Sequence, residues 1–195
     1  MRDMIKMVVV IAVLASFSGG LLAGLRNSTK EKIEYQQLVF VKGPAIRTIL
    51  SECTNDPITD RFKIKDADAD RSIFVGVLNG EPQVVAFESF GKGFGGDIGV
   101  MVGVNLKDDK LLSIGVTTHS ETPGLGSKAT EASFGAKFKG LPIMDITKVK
   151  NDGGQIDSIT GATITTRGVC SAVTTAGDIY KRLKTQIQEK VKSIK

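Results

Sequence analysis

Residues 7–25 read MVVVIAVLASFSGGLLAGL and hold no charged side chain. At 1.5 Å per residue, a helix of that length covers roughly the ~30 Å hydrocarbon core of a bilayer. Arg2, Asp3 and Lys6 precede the stretch, and Arg26, Lys30, Glu31 and Lys32 follow it. A cleaved secretory signal is the competing reading. The apolar run is longer than an ordinary signal core, Leu22-Ala23-Gly24 is a poor cleavage site, and no Cys follows to take a lipid. The segment is therefore expected to be an uncleaved single-pass transmembrane helix. Basic residues on both flanks leave its orientation open, because the positive-inside rule needs an asymmetry.

Past the anchor, Ile33, Gln37 and Phe40 keep helical spacing, which predicts a helical stalk over 26–50. Gly43-Pro44 is expected to interrupt it, with one more short helical piece over 45–50. From 53 to 70 the chain is polar and reads as a solvated loop. The run Asp66-Ala67-Asp68-Ala69-Asp70 lacks the Gly and the distal Glu of a helix–loop–helix calcium site. Two hairpins follow. Strands at 72–78 and 83–88 flank the turn cluster Asn79-Gly80-Glu81-Pro82, and strands at 98–106 and 111–118 flank Lys107-Asp108-Asp109-Lys110. Between the hairpins, Gly91-Lys92-Gly93-Phe94-Gly95-Gly96 matches G-x-G-x-x-G, but a Val-rich strand follows where a dinucleotide site needs a helix. The reading that remains is a Gly-rich loop, either a plain bulge or backbone lying against a ligand. A helix is expected over 127–138. Val169, Val173, Ala176, Ile179, Tyr180 and Leu183 give helical periodicity to the C-terminal segment. The Lys-rich end, through Lys181, Arg182, Lys184, Lys190, Lys192 and Lys195, reads as the solvated face of that helix.

The inventory of rare residues excludes several chemistries. One His and two Cys in 195 residues are too few for a four-cysteine iron–sulfur cluster, a mixed Cys/His zinc site or a two-histidine haem. No metal ligand set is assigned. A Ser–His–Asp hydrolase finds no nucleophile turn. The net charge of +5 is spread along the chain rather than clustered with aromatics, which excludes a nucleic-acid partner. Cys170, beside Val169 and Val173, is expected to be a small buried residue, and neither it nor Cys53 a redox ligand. Redox work by this chain would need an organic cofactor.

Two segments carry candidate chemistry. The single His stands in His119-Ser120-Glu121-Thr122-Pro123-Gly124-Leu125-Gly126, and the hydroxyl-rich turn Asp157-Ser158-Ile159-Thr160-Gly161-Ala162-Thr163 leads into the C-terminal helix. Free N–H groups and the positive end of the macrodipole at a helix start favour a phosphate, and equally suit an ordinary Thr cap. Local physics leaves cap and phosphate site both open.

The second segment resembles the flavinylation motif D-x-x-(S/T)-G-A-T of bacterial FMN-binding domains. The first resembles that family's H-x-E-T-P-G-L-G segment, and Gly93-Phe94-Gly95-Gly96 its Gly-aromatic-Gly-Gly turn, with Phe94 in place of a frequent Tyr. Within the family, the order of motifs behind one anchor is most similar to G subunits of Rnf-type electron-transport complexes. C subunits of Na+-translocating NADH:quinone oxidoreductases come next, and a membrane sensor holding FMN non-covalently is a further alternative. The resemblance implies FMN joined through its phosphate to Thr163 by a flavin transferase. It assigns Asp157, Gly161 and Ala162 to the attachment turn, with Thr160 engaged in turn-internal hydrogen bonds. Gly93, Phe94, Gly95 and Gly96, with His119, Glu121, Thr122, Pro123, Gly124, Leu125 and Gly126, become the walls of the ring pocket. Thr165 and Thr166, one step further into the helix, are expected to point away from the free N–H groups. No catalytic residue is implied, only an electron carrier partnered by other membrane subunits of a complex coupling ferredoxin:NAD electron transfer to Na+ or H+ transport. Residues 1–6 then lie in the cytoplasm and an FMN-binding domain, 51–195, outside the inner membrane. The fold expected is α+β: a twisted antiparallel sheet with helices packed to one side.

Overall fold

The computed structural model describes residues 1–66 and 69–193; Ala67 and Asp68 of the acidic run, and Lys195 of the basic end, lie outside the described residues. The chain divides into two compact units, Met1–Leu38 and Val39–Lys195. In the first, helix α1 (Arg2–Gln36) is unbroken and buries none of its residues. Its apolar side chains, among them Val10, Leu14, Phe17 and Leu22, are exposed all round the axis. That distribution suits a lipid environment rather than one packed face.

Gly43-Pro44 does not interrupt the helical path. Residues Gln37–Lys42 adopt the wider π form, and α2 (Gly43–Ile49) carries Pro44 in its first turn. There the missing N–H costs nothing, and the wide turn spares the clash between a Pro ring and the carbonyl four residues earlier. Ile46, Ile49 and Leu50 are buried, so this end of the segment read as a stalk packs on the sheet of the second unit.

The sheet is a five-stranded antiparallel meander in sequence order: β1 (Arg61–Asp66), β2 (Ala69–Leu78), β3 (Glu81–Lys92), β4 (Asp97–Asn105) and β5 (Lys110–Thr118). Asn79 and Gly80 have φ of 54° and 78°, the doubly left-handed turn that Asn-Gly supplies to a two-residue hairpin. Strand β1 corrects the solvated-loop reading of 53–70. Phe62, Ile64 and Asp66 alternate toward one face, and Asp66 is buried because Arg71 (2.7 Å) and Arg182 (3.1 Å) neutralise it.

Helices flank both faces of the sheet, where one face was expected. Val85, Phe87, Val100, Val102 and Val104 join one core with Val169, Val173, Ala176, Tyr180 and Leu183 of α4 (Thr163–Ser193). Alternate residues point the other way. On that opposite face Gly103 and Gly115 leave room for Ile49 and Ala45 of α2. The basic end of α4 is not wholly solvated either. Arg182 holds Asp66, Lys184 meets Asp109 at 2.6 Å, and Lys190 Nζ donates to the Lys63 carbonyl at 2.8 Å. The helix expected over 127–138 is broken into a 3-10 turn (Gly126–Thr130), one α turn, α3 (Ala132–Gly135), and a second 3-10 turn (Ala136–Phe138). Glu131 at ψ 137° ends the first turn, and Phe134 and Phe138 anchor the rest in the core, edge to face at 5.6 Å.

Candidate functional site

Three segments distant in sequence converge at the N-terminal end of α4. They are the Gly-rich turn joining β3 to β4, the loop after β5, and the turn that precedes the helix. Between them lies a cleft of about 430 Å³ lined by Phe94, Glu121, Thr122, Leu125, Gly126, Gly161, Ala162, Thr163, Ile164 and Thr165. That volume falls within the ~300–1,000 Å³ typical of small-molecule sites.

The helix start is built by its own turn. Gly161, at φ 78°, takes the left-handed conformation that lets the chain reverse into α4. The Ala162 N–H donates to the Ile159 carbonyl at 2.9 Å. The Thr166 hydroxyl donates to the Ala162 carbonyl at 3.0 Å and accepts from the Ile159 N–H at 3.1 Å. The internal hydrogen bonding expected of Thr160 therefore runs through buried Thr166, while Thr160 itself is exposed and off the cleft. Thr163 is half-buried with its side chain at the cleft, in the first turn, where backbone N–H groups have no intrahelical acceptor.

The loop after β5 is held by Glu121, 6% exposed. Its Oε1 accepts the Gly95 N–H at 2.9 Å, and its Oε2 accepts the Thr165 hydroxyl. One carboxylate thus ties all three segments together. The Glu121 N–H in turn donates to His119 Nδ1 at 3.2 Å, so exposed His119 shapes the loop without facing the cleft. A Cβ on Gly126 would sit 2.7 Å from Glu121 Oε2, and one on Gly93 would collide with Oε1. The Gly-rich turn is closed by the Gly93 N–H on the Gly96 carbonyl at 2.8 Å and presents Phe94 to the cleft.

Of the residues singled out in the sequence, Phe94, Glu121, Thr122, Leu125, Gly126, Gly161, Ala162 and Thr163 meet at the cleft. Gly93 and Gly95 stand behind it as supports of Glu121, and Gly96 lies on the exposed side of the turn. Pro123 and Gly124 form the outer bend of their loop, where Ser127 Oγ accepts the Gly124 N–H at 2.9 Å. Asp157 is exposed outside the cleft and paired with Lys150 at 2.7 Å. The hydrogen bond from Lys150 holds its carboxyl below the usual carboxylate range. Ile164, which the sequence reading passed over, and Thr165, which it expected to point away, complete the cleft. Thr165 does not simply point away, since its buried hydroxyl belongs to the cleft wall. Their only sequence signal is their place in the first helical turn. Cys170 is buried, with its thiol pushed up to about 12 by burial, and both cysteines are free.

Residues 93–178 match the FMN-binding domain model, a span that takes in the whole cleft. The chain is 33% identical over 182 residues to the G subunit of the ion-translocating oxidoreductase complex of Vibrio atlanticus, covering 84% of each chain. It is 30% identical over 180 residues to the G subunit of the complex of the same name from Methanosarcina acetivorans, covering 91% of this chain and 94% of that one. Among solved structures, the C subunit of the Na+-translocating NADH-quinone reductase of Parabacteroides distasonis shares the fold, at TM-score 0.56 and 21% identity over 82% of this chain and 94% of that one. By extent and by identity, the chain belongs to the family of ion-translocating oxidoreductase complex G subunits.

Proposed function

We propose that this protein is a membrane-anchored electron carrier holding FMN on Thr163 through a phosphoester bond. It would relay electrons among the membrane subunits of an Rnf-type complex coupling ferredoxin:NAD electron transfer to Na+ or H+ transport. The observation that carries the reading is the state of the clustered hydroxyls. Thr166 is committed to the Ala162 carbonyl, Thr165 to Glu121, and Thr160 is off the cleft, so of the four threonines around the start of α4 Thr163 is the one left at the cleft with an uncommitted hydroxyl; Thr122, also at the cleft, stands on the loop after β5, away from the helix start.

The residues present fit the group. The first-turn N–H groups of α4 face the negative charge that a phosphodiester on Thr163 retains. Exposed Phe94, Leu125 and Ile164 offer apolar walls to a planar ring. Gly161 and Ala162 leave space beside the attachment oxygen. Bound FMN supplies the capacity to take up and release electrons at potentials that amino-acid side chains do not reach. A tether makes retention independent of any dissociation constant, so the cleft can stay open toward a partner. A flavin transferase is the maturation partner this reading requires. The flavin-bearing unit lies on the extracytoplasmic side of the inner membrane in this reading, with residues 1–6 in the cytoplasm.

The test is co-production with a flavin transferase, followed by denaturing electrophoresis. Yellow fluorescence should stay with the wild-type band and vanish in Thr163→Val, which keeps the side-chain shape without the nucleophile. Mass spectrometry of the peptide 157–167 should place an FMN-sized adduct on Thr163; an adduct on Thr165 would overturn the assignment. A reporter active only in the cytoplasm, fused at the C-terminus, should give no signal.

A further inference from the structure

The cleft has an acid and no base. Glu121 is its one ionisable wall residue, and none of the ten residues that line it is Lys, Arg or His. Of the nearby cations, Lys92 pairs with Asp97 at 2.8 Å, Lys150 with Asp157, and Arg167 with Asp152 at 2.7 Å, while Lys128 of the loop after β5 is exposed, forms no ion pair among the described residues and does not line the cleft. Glu121 itself has no ion-pair partner among the described residues. Its two oxygens meet a backbone N–H and a hydroxyl, so both are fixed in position within the cleft wall. Gly93 and Gly126 lack the Cβ atoms that would displace it, so the charge is held in place from two sides.

We propose that Glu121 sets the reduction potential of the flavin in this cleft, as a fixed negative charge with no cationic partner. The proposal rests on the reading that the cleft holds FMN. Reduction of the ring by one electron from the carrier's electron donor adds one negative charge to the cleft. Two like charges within one partly desolvated site repel over distances that bulk water would screen. The carboxylate therefore disfavours the reduced form and makes the carrier a stronger donor. Its hydrogen bonds to Gly95 and Thr165 fix where that charge sits, so one residue both assembles the cleft and biases its electron affinity.

The experiment is a potentiometric titration of the flavin-loaded full chain in detergent, followed by visible absorbance. Glu121→Gln keeps an acceptor for the Gly95 N–H and a partner for the Thr165 hydroxyl while removing the charge. It should raise the equilibrium constant for one-electron reduction about tenfold, a shift of about 59 mV. Thr165→Val keeps the charge and deletes the hydroxyl that partly offsets it, so it should shift the potential downward. A merely structural Glu121 would not move the two variants in opposite directions. An unchanged or lowered potential in Glu121→Gln overturns the proposal. If that variant does not load flavin, an unchanged or raised potential in Thr165→Val overturns it. Flavin lost from the wild type on denaturation would instead defeat the covalent reading, and the potentials of the bound flavin would still be measurable.

Discussion

The chain contains two long helices of nearly equal length, α1 with 35 residues and α4 with 31, and they solve opposite problems. Helix α1 is apolar on every side over residues 7–25 and buries nothing. Helix α4 mixes its composition and buries one stripe, Val169, Val173, Ala176, Tyr180, Leu183, Ile187 and Val191, while its charged side chains face outward or reach back to the strands. In the first, apolarity matches a solvent; in the second, it matches a neighbour. A substitution in α1 is therefore a question of transfer into lipid, and the same substitution in α4 is a question of packing.

That contrast can be broken most sharply with a single carboxylate placed in each helix. Val173→Asp buries an unpaired charge in the core of the second unit. It should remove about 3–5 kcal/mol of stability, read as loss of cooperative thermal unfolding of the full chain in detergent. Leu14→Asp should cost about 2.5–3.5 kcal/mol of membrane insertion, read as a shift from membrane to soluble fractions with the unfolding transition of the second unit unchanged. If Leu14→Asp also unfolded that unit, the division between the two helices would fail.

The next effect sharpens how α4 is tied to the sheet. Hydrogen bonds from Arg71 and then Arg182 hold the Asp66 carboxyl below its ordinary range, against the opposing effect of burial. The folded-state value lies below the unfolded one, about 3.9. The stabilisation is therefore complete above about pH 4 and is lost as pH falls through the folded value. Asp66→Asn should lose about 1–3 kcal/mol at neutral pH and show a shallower decline in stability below about pH 4 than the wild type. An acid limb as steep as the wild type's would remove Asp66 from the account.

The smallest change expected is in the cysteines. Cys170→Ser places a hydroxyl on the buried face of α4, where it can bond back to the preceding turn, and should cost about 1 kcal/mol. Cys53→Ser, at a half-buried position, should cost less. Flavin content of the double variant should equal that of the wild type; loss of flavin without loss of folding would give the thiols a role that neither position suggests.

The elements written in period and punctuation were legible in the sequence. Strands β3, β4 and β5 follow from alternating or Val-rich runs between Asn-Gly and Asp-rich turns, and α4 follows from its stripe. Strand β1 was obscured because Phe62 and Ile64 are its only apolar residues, and the third inward position is Asp66. Its burial depends on Arg71 and on Arg182, 116 residues away, a pairing that no local pattern announces. At the cleft, Thr163, Glu121 and Phe94 stand in recognisable motifs, whereas the bond between Thr165 and Glu121 is created by tertiary closure. Asp157 belongs to the motif but not to the cleft, because its carboxylate turns outward to Lys150.

At one crossing α4 meets β3 through backbone rather than side chains. A Cβ on Gly91 would collide with the Gly168 carbonyl, and one on Gly168 would lie 2.6 Å from the Lys92 carbonyl. Gly168 is five residues beyond Thr163. The height of Thr163 above the sheet is thus gauged by two main chains in contact, a reference surface that core substitutions do not move. Mutational drift can exchange Val for Ile along the stripe of α4 without lifting Thr163, whereas any side chain at 91 or 168 acts as a shim under the helix at its cleft end.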